Sequence, residues 1–360
     1  MIAGLSKTQA LIAGVVAAVL VVAGVLLVVL RGDGKSTTAA PVSRSSTISS
    51  ATPPATPTPS PTPTVKPPAP PSVNPLTGVG KPPSGPVLAV KIDDTANGRP
   101  SRGLDQADVV YIEQAEGGLT RLLAVFGTHK PVVEPVRSVR ASDAELLSQY
   151  GAIALVASGG GGDSLLVLDR SRVRGVIYAR GGPGFSRDAN RFAPYNLQAD
   201  LGRISASVHT AGSRNVGFGW AASGPRVKAA PATAGVRTVV GSTPVTFDWE
   251  PTIGKYARTI GGAHLHGADG SLMATPNVLV QLCDVSVNPA DVDVMGNPSQ
   301  YTHSVGSGRV VLFRNGHRIE GKWSRASAGA PTTFTDLKGK PLLLAPGGAY
   351  VVLAAKSAPV

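Results

Sequence analysis

The chain has 360 residues, a formal net charge of +12 and a single cysteine. Its length allows two domains with separate cores. Because Cys283 is the only cysteine, an intrachain disulfide framework and a cysteine-rich metal site are excluded. The positive charge suggests an anionic partner. We expect no nucleic acid, because the arginines crowded between Arg170 and Arg191 are interleaved with few aromatic side chains and match no nucleic-acid motif.

Residues 11–30 form an apolar run without a single charge. A membrane-spanning helix needs about 20 such residues, whereas the apolar region of a cleaved signal peptide is usually ~7 to 15 residues long. The run therefore favours an uncleaved signal anchor over a cleaved signal peptide. Residues 1–10 would then be a cytoplasmic stub, and the rest an ectodomain held at the plasma membrane by one span.

Residues 31–73 are rich in Pro, Thr and Ser and contain one carboxylate, Asp33. Such a composition cannot bury enough apolar surface to offset the entropy of ordering the chain. We predict a disordered, partly polyproline II linker, whose reach suits a domain that works in a cell wall.

A first domain is predicted over residues 74–224. A strand at Pro86–Asp94 is followed by a short helix near Leu104–Ala107 and by two strands, Val109–Ile112 and Leu119–Phe126, joined at an EGG corner. Further elements follow in alternation. They are a helix at Ala141–Tyr150, a strand at Gly151–Ala157, a helix after the SGGGGDS loop of Ser158–Ser164, and a loop followed by a helix at Phe185–Leu201.

Residues 225–360 have a different pattern, with short strands separated by Asn-Gly, Lys-Gly and Pro-Gly-Gly turns. The predicted fold class is therefore an α/β or α+β N-terminal domain with a mixed sheet, followed by a mostly antiparallel β C-terminal domain.

Ionisable side chains are placed within sequence that is otherwise apolar, above all between Gln106 and Arg140. Buried charges must be paired or belong to a site. Arginine forks suit carboxylate or phosphate ligands, so an acidic and arginine-rich cleft is predicted, with a buried ion-pair network as the alternative. The candidate ligand-binding residues are Asp93, Asp94, Arg102, Asp108, Glu116, Thr120, Arg121, Arg137, Arg140 and Asn196.

Two carboxylates, Glu113 and Glu116, are candidates for acid and base of a hydrolase. On a regular strand Tyr111 and Glu113 share one face while Gln114 and Glu116 share the other, so the two glutamates would act together only if the EGG corner redirects Glu116. No cofactor and no metal site is predicted. His264 and His266 could bind a metal together with Asp269, but no third ligand to the two histidines lies at a recognisable spacing. The SGGGGDS loop lacks the Lys-Ser/Thr ending of a nucleotide-binding loop.

Several motifs resemble those of the YerB-like family of lipoprotein-like bacterial envelope proteins, whose two domains have no known function. The motifs are NPLTG, EGGLTR, PVRSVR, FSRDANRFAPYNL and NGHRIEGKWSR. The resemblance extends from Asn74 nearly to the end of the chain. It implies a bacterial protein outside the cytoplasm and implies no activity.

The sequence differs from the family pattern at two places. A histidine common before the glycine-rich loop is replaced at or near Ser158, and a Pro-His-Asn triplet becomes Pro194, Tyr195 and Asn196. If a histidine served the family as a base, this chain would lack it. A site of carboxylates and arginines is the extrapolation that depends least on that histidine.

The predicted function is thus that of a membrane-tethered envelope protein that binds a cell-wall polymer, a related ligand or an envelope protein partner. Two alternatives remain open at this point. One is a hydrolase of glycan or phosphodiester bonds, and the other is a scaffold for the machinery of wall synthesis. The sequence does not decide whether the protein is an enzyme.

Overall fold

A computed structural model describes residues 73–210, 212–293 and 296–360. The predicted membrane anchor and nearly all of the predicted linker lie outside the described residues. No helix among the described residues has the length and apolar character that crossing a membrane requires.

The N-terminal half alternates strands and short helices. Its strands are β1 Leu88–Asp93, β2 Val109–Gln114, β3 Thr120–Phe126, β4 Val132–Val133, β5 Ala154–Ala157, β6 Arg174–Ile177, β7 Phe185–Arg187, β8 Leu197–Asp200 and β9 Gly219–Trp220. Its helices are α1 Ala141–Leu147, α2 Ser164–Arg170 and α3 Leu201–Ser207, with 3-10 turns at Leu104–Gln106, Glu116–Gly118 and Ser148–Tyr150.

The C-terminal half begins with a short helix and is otherwise built of strands. The helix is α4 Pro225–Lys228. The strands are β10 Gly235–Val240, β11 Thr243–Glu250, β12 Lys255–Ile260, β13 Ala263–His264, β14 Ala274–Thr275, β15 Asn277–Val292, β16 Pro298–His303, β17 Gly306–Arg314, β18 His317–Arg325, β19 Thr333–Asp336, β20 Leu343–Leu344 and β21 Ala349–Ala355.

Strands from both halves form one sheet. Its order is β19-β18-β17-β15-β21-β2-β3-β1-β5-β6, with β16 added beside β15. The last strand, β21, pairs in parallel with both β2 and β15 and so joins the two halves. The predicted mixed sheet of the N-terminal half and the mainly antiparallel strands of the C-terminal half are both observed. The continuous sheet crosses the boundary that the sequence placed near residue 224.

Each face of this sheet is covered by a different layer. On one face, α1 and α2 contribute Leu146, Leu147 and Leu168 to a core with the side chains of Leu123 and Leu155. On the other face, a small antiparallel sheet of β10 to β14 packs its apolar side against the main sheet, and Phe247 contacts Tyr350 edge to face. Because both faces are covered, β1 and β3 are buried throughout, which explains their nearly continuous apolar sequences.

The elements predicted around the EGG corner are confirmed, and one prediction is wrong. Strands β2 and β3 form an antiparallel hairpin, and the predicted helix at Ala141–Tyr150 is α1 followed by a 3-10 turn. The segment Phe185–Leu201 is not a loop followed by a helix, because β7 and β8 pair with each other before α3 begins. Strand β7 is three residues long and largely solvent-exposed, so it shows no apolar alternation, and the alternation of buried and half-buried side chains in β8 covers only four residues.

The start of β15 is attached to the loop before β21 by one buried side chain. Asn277 Nδ2 donates to the carbonyl oxygens of Ala345 and Gly348 at 2.6 and 2.7 Å, and Asn277 Oδ1 accepts from Ala345 N at 2.7 Å. These bonds hold β21 in position for its parallel pairing with β15.

Replacing Asn277 with aspartate should destabilise the fold while keeping the shape of the side chain. The carboxylate cannot donate to the two carbonyl oxygens, so we expect the free energy of unfolding to fall by about 2 to 4 kcal/mol in Asn277→Asp. Chemical denaturation measures the change. Asn190→Asp, which introduces the same charge at an exposed position, is the control and should change stability by less than about 0.5 kcal/mol. Equal effects of the two substitutions would contradict the assigned role of Asn277.

Candidate functional site

Charged side chains form a row across the three central strands of the main sheet. Arg121 on β3 lies opposite Glu113 on β2 and opposite Asp93 on β1. Side chains opposite each other in neighbouring strands point to the same face. Glu113, Arg121 and Asp93 therefore project together toward the layer that contains α1.

The PVRSVR motif crosses the end of this row. Val136 forms a bridge with Ile92, Arg137 N donates to Lys91 O at 2.8 Å, and Ser158 N donates to Arg137 O at 2.9 Å. The motif thus lies between the end of β1 and the glycine-rich loop that follows β5. It presents its two arginines, Arg137 and Arg140, to the charged row.

Asp93 is the buried carboxylate that Arg121 and Arg137 approach. Arg137 Nε lies 2.9 Å from Asp93 Oδ2, and Arg121 Nη2 lies 3.7 Å from the same oxygen. Neither contact is aligned as a hydrogen bond, so this buried oxygen has no hydrogen-bond donor. The other oxygen, Asp93 Oδ1, accepts from Thr95 N and Thr95 Oγ1, each at 2.6 Å.

Glu116 forms a two-pronged ion pair with Arg140. Arg140 Nη2 donates to Glu116 Oε2 at 2.6 Å, and Arg140 Nε donates to Oε1. Burial by itself would raise the pKa of Glu116, but the hydrogen bonds and the charge of Arg140 outweigh burial and lower the pKa, with a smaller contribution from Arg121. Glu116 is therefore ionised near neutral pH, and it is not an available general acid.

The glycines of the EGG corner direct Glu116 into the site. Gly117 and Gly118 have φ values of 62° and 74°. Residues other than glycine adopt such a backbone conformation only at an energetic cost. A Cβ at Gly118 would lie 2.4 Å from Ser242 Oγ, because the turn between β10 and β11 packs against the corner and donates a hydrogen bond from Ser242 N to Gly118 O. The corner thus directs Glu116 to Arg140 and toward Arg121, and not to Glu113, which pairs with Lys91.

Glu113 lies in a closed cluster beside the site. Lys91 Nζ donates to Glu113 and, at 2.8 Å, to Asp143 Oδ1, and all three side chains are buried. Asp143 also accepts from Arg140 N at 2.7 Å and so caps α1. Burial raises the pKa of Glu113 to about 8, and the charge of Asp143 adds to that effect. A protonated Glu113 leaves Lys91 and Asp143 as a neutral pair.

Other predicted residues lie elsewhere. Thr120 and Asp94 are on the opposite face, where Thr120 Oγ1 and Arg258 Nη2 each donate to Asp94 Oδ2 at 2.6 Å. Asp108 accepts from the backbone of the turn after β3, at Gly127 N.

Arg102 and Asn196 are likewise outside the cluster. Arg102 joins Glu134 through the backbone. Asn196 accepts from Arg187 at 2.7 Å. The candidate site is thus reduced to Asp93, Glu116, Arg121, Arg137 and Arg140.

Sequence reasoning missed several partners of these charges. The sequence does show Lys91 as a cation within an apolar strand. A buried cation of this kind requires a buried counter-charge, so this signal could have predicted the cluster. Arg258 had no such signal, since it comes from a strand 164 residues away from Asp94. His264 Nε2 pairs with Glu250 Oε1 at 3.1 Å. No group of three or more potential ligands able to hold a metal ion occurs within the described part of the chain.

An aromatic loop extends the arginine side of the site. The guanidinium of Arg137 lies 5.3 Å from the centre of the Tyr195 ring, and Tyr195 contacts Phe192 edge to face. Phe192 is 63 % exposed. The loop is held in place by Arg191, which donates to the carbonyl oxygens of Asn97, Gly98 and Pro100.

Family profiles match most of the described chain. Residues 76–214 match the N-terminal domain of a protein of unknown function, DUF3048, and residues 236–351 match its C-terminal domain. The chain belongs to the YerB-like family. Membership confirms the resemblance drawn from the sequence motifs, and it assigns no activity.

Two comparisons relate the chain to a Bacillus subtilis member of the family. The protein named "Putative lipoprotein YerB" from strain 168 is 44% identical over 54 residues, a match that covers 15% of this chain and only 16% of that protein. The crystal structure of the Bacillus subtilis YerB protein superposes with a TM-score of 0.66 at 20% identity, over 79% of this chain and 98% of that one. At that identity the superposition shows a shared fold.

The pH dependence of stability should report the buried state of Glu113. With its pKa near 8 in the folded protein and near the model-compound value when unfolded, Glu113 keeps a proton that the unfolded chain has released between these values. Its contribution to stability is therefore complete below about pH 4.5, and it is lost as the pH rises through 8. Relative to Glu113→Gln, the wild type should lose about 1.4 kcal/mol per pH unit across this window.

Denaturant titrations at half-unit pH steps measure this difference. Glu320→Gln is the control, since hydrogen bonds from Arg309 lower the pKa of Glu320 and its contribution is lost only in acid. The control difference should be flat between pH 5 and 8. A flat difference for Glu113→Gln as well would show that Glu113 is ionised in the folded protein.

Proposed function

We propose that this protein is a membrane-associated protein of the bacterial cell envelope that binds a carboxylate-bearing wall glycan at Arg137 and its neighbours. The location is supported by family membership and by the lipoprotein name of the Bacillus subtilis relative. The single-pass anchor at residues 11–30 remains our prediction for how the protein is attached.

The observation that carries the binding proposal is the environment of Arg137. Its side chain is 22% exposed, lies against the Tyr195 ring and pairs with a carboxylate oxygen of Asp93 that has no hydrogen-bond donor. A guanidinium that is neither fully covered nor fully hydrogen-bonded retains N–H groups for an incoming acid. The side chain of the neighbouring Arg121 is only 9% exposed, and it adds a second positive charge beside Asp93.

The charges around Arg137 also favour an anion. Two neighbouring arginines, Arg121 and Arg140, act against its charged form, and Asp93 supports it. Burial lowers the pKa of Arg137, although Asp93 opposes this effect, so an additional negative charge would relieve the desolvated guanidinium. Tyr195 and exposed Phe192 offer ring faces against which the apolar face of a sugar can pack.

The burial of Glu113 speaks against the hydrolase alternative. A general acid or base must reach the proton that it transfers, and Glu113 is enclosed with Lys91 and Asp143. Glu116 is engaged by both prongs of Arg140. The scaffold alternative is supported by the sealed pairs Lys91–Asp143 and Arg258–Asp94, which hold layers together and offer no ligand surface.

Binding should depend on the fork of Arg137. We expect Arg137→Ala in the full-length chain, solubilised in neutral detergent, to bind a muramic-acid-containing glycan fragment at least about tenfold more weakly, because a charge-assisted pair is lost. Arg137→Lys should be weakened less, since it keeps the charge and loses the planar fork. Isothermal titration calorimetry measures both affinities.

Two controls make this result interpretable. Arg309→Ala removes an arginine that pairs with Glu320 on β18, outside the site, and should leave affinity unchanged. A neutral chitin oligosaccharide tests whether the carboxylate of the glycan matters, and it should bind more weakly than the acidic fragment. Equal affinities of wild type and Arg137→Ala would refute the proposal, and release of cleaved glycan during the titration would favour the hydrolase instead.

A further inference from the structure

A second groove lies on the helix side of the main sheet and shares no residue with the Arg137 site. It has a volume of about 890 Å³ and is bounded by α1, the C-terminal end of α2, β16 and the loop of residues 327–330. The charged and hydroxyl-bearing residues that line it are Glu145, Ser148, Arg170, Ser171, Arg172, Tyr301 and Ser327.

The arginines at its rim have no carboxylate partners. Arg170 and Arg172 are exposed and form no ion pair within the described ranges of the chain. Nearby Arg180 differs, because its guanidinium is held by both oxygens of Asp169 at 2.7 and 2.9 Å. Arg214 does not line the groove, but it donates to Gly329 O at 3.0 Å in the loop that borders it.

The carboxylate of the groove is already occupied by internal donors. Glu145 Oε1 accepts from Ser304 N, Ser304 Oγ and Val305 N at 2.7 to 3.1 Å, and Oε2 accepts from Tyr301 Oη at 3.2 Å. These bonds turn Glu145 toward the backbone of residues 304–305. Arg170 and Arg172 are left as the charges that face solvent.

The loop of residues 327–330, which also lines the groove, is held in place by hydrogen bonds from Arg325. Arg325, which is almost fully buried, donates to the carbonyl oxygens of Glu145, Ala328 and Ala330 and to Ser304 Oγ. One guanidinium therefore ties the loop of residues 327–330 to α1. A groove that needs no ordering on binding loses little entropy when a ligand enters.

We propose that this groove binds a segment of a phosphodiester-linked polyanion. Exposed arginine forks match phosphate oxygens in geometry and charge, and two unpaired forks on one rim suit successive phosphates better than a single ion. The groove is a concavity of about 890 Å³, so it admits a segment of a flexible chain and fits a flat bilayer surface poorly. The positive net charge of the chain would assist the approach of such a polymer.

The experiment measures binding of poly(glycerol phosphate) to the full-length chain in neutral detergent at several salt concentrations. We expect Arg170→Gln/Arg172→Gln to bind at least about tenfold more weakly and with a smaller salt dependence, since fewer counterions are released. The control is Lys255→Gln/Lys338→Gln, which removes the same charge from exposed positions that do not line the groove. Its affinity should change by less than about twofold. Inorganic phosphate should bind wild type far more weakly than the polymer.

Three results would overturn the proposal. If both double variants lose affinity equally, the polymer senses net charge and not the groove. If wild type does not bind the polymer, no such site exists. If phosphatidylglycerol vesicles bind more tightly than the polymer and depend equally on Arg170 and Arg172, the surface is a membrane contact. Because Arg170 and Arg172 form no ion pair with any residue that the structure describes, thermal unfolding should be unchanged in the double variant, which excludes misfolding as the cause.

Discussion

A lysine without solvent contact in the second half of β1 determines how the helical layer is attached to the sheet. A buried ammonium group is tolerated only with an opposite charge close by, and Lys91 obtains this charge from Asp143 on α1. The same aspartate caps α1, so one carboxylate neutralises the sheet and starts the helix. Glu113 completes the group in its neutral form because a second negative charge would be unpaired.

The exposed site is a consequence of this attachment. Once α1 is held over β1, the PVRSVR segment that leads into it has to run across the ends of the central strands. Its arginines then lie over Asp93 and beside Glu116. The buried cluster is therefore a structural support, whereas Arg137 at the edge of the group keeps contact with solvent.

The two proposed surfaces differ in how their charge is arranged. At the Arg137 site, guanidinium groups outnumber carboxylates within a dense ion-pair network, which favours a ligand that combines an acid with a ring face for Tyr195. At the groove between α1 and α2, Arg170 and Arg172 are exposed and form no ion pair with the described residues, and Arg325 holds the adjoining loop in place. This arrangement favours a ligand with repeated anionic groups. Both arrangements suit binding, and Glu116, the glutamate of the Arg137 site, is held by Arg140.

Local patterns in the sequence determined the central hairpin, the strands around it and the need to neutralise charges among apolar residues. Two apolar runs separated by the EGG corner were sufficient to predict the hairpin, because apolar runs bounded by turn residues are typical of paired strands. This pattern did not reveal β7, whose side chains are largely exposed, or β8, whose alternation of buried and half-buried side chains covers only four residues.

Which charges meet was decided by tertiary structure. Alternation could not predict that β21 inserts beside β2, that Arg258 reaches Asp94 or that Lys91 pairs with Asp143, since these contacts join distant parts of the chain. The sequence by itself determined that the charges must be paired, because a low-dielectric core requires it. Only the folded topology decided that Glu113 is sealed inside the protein while Arg137 faces solvent, because burial depends on which layers cover a residue and not on its neighbours in the chain.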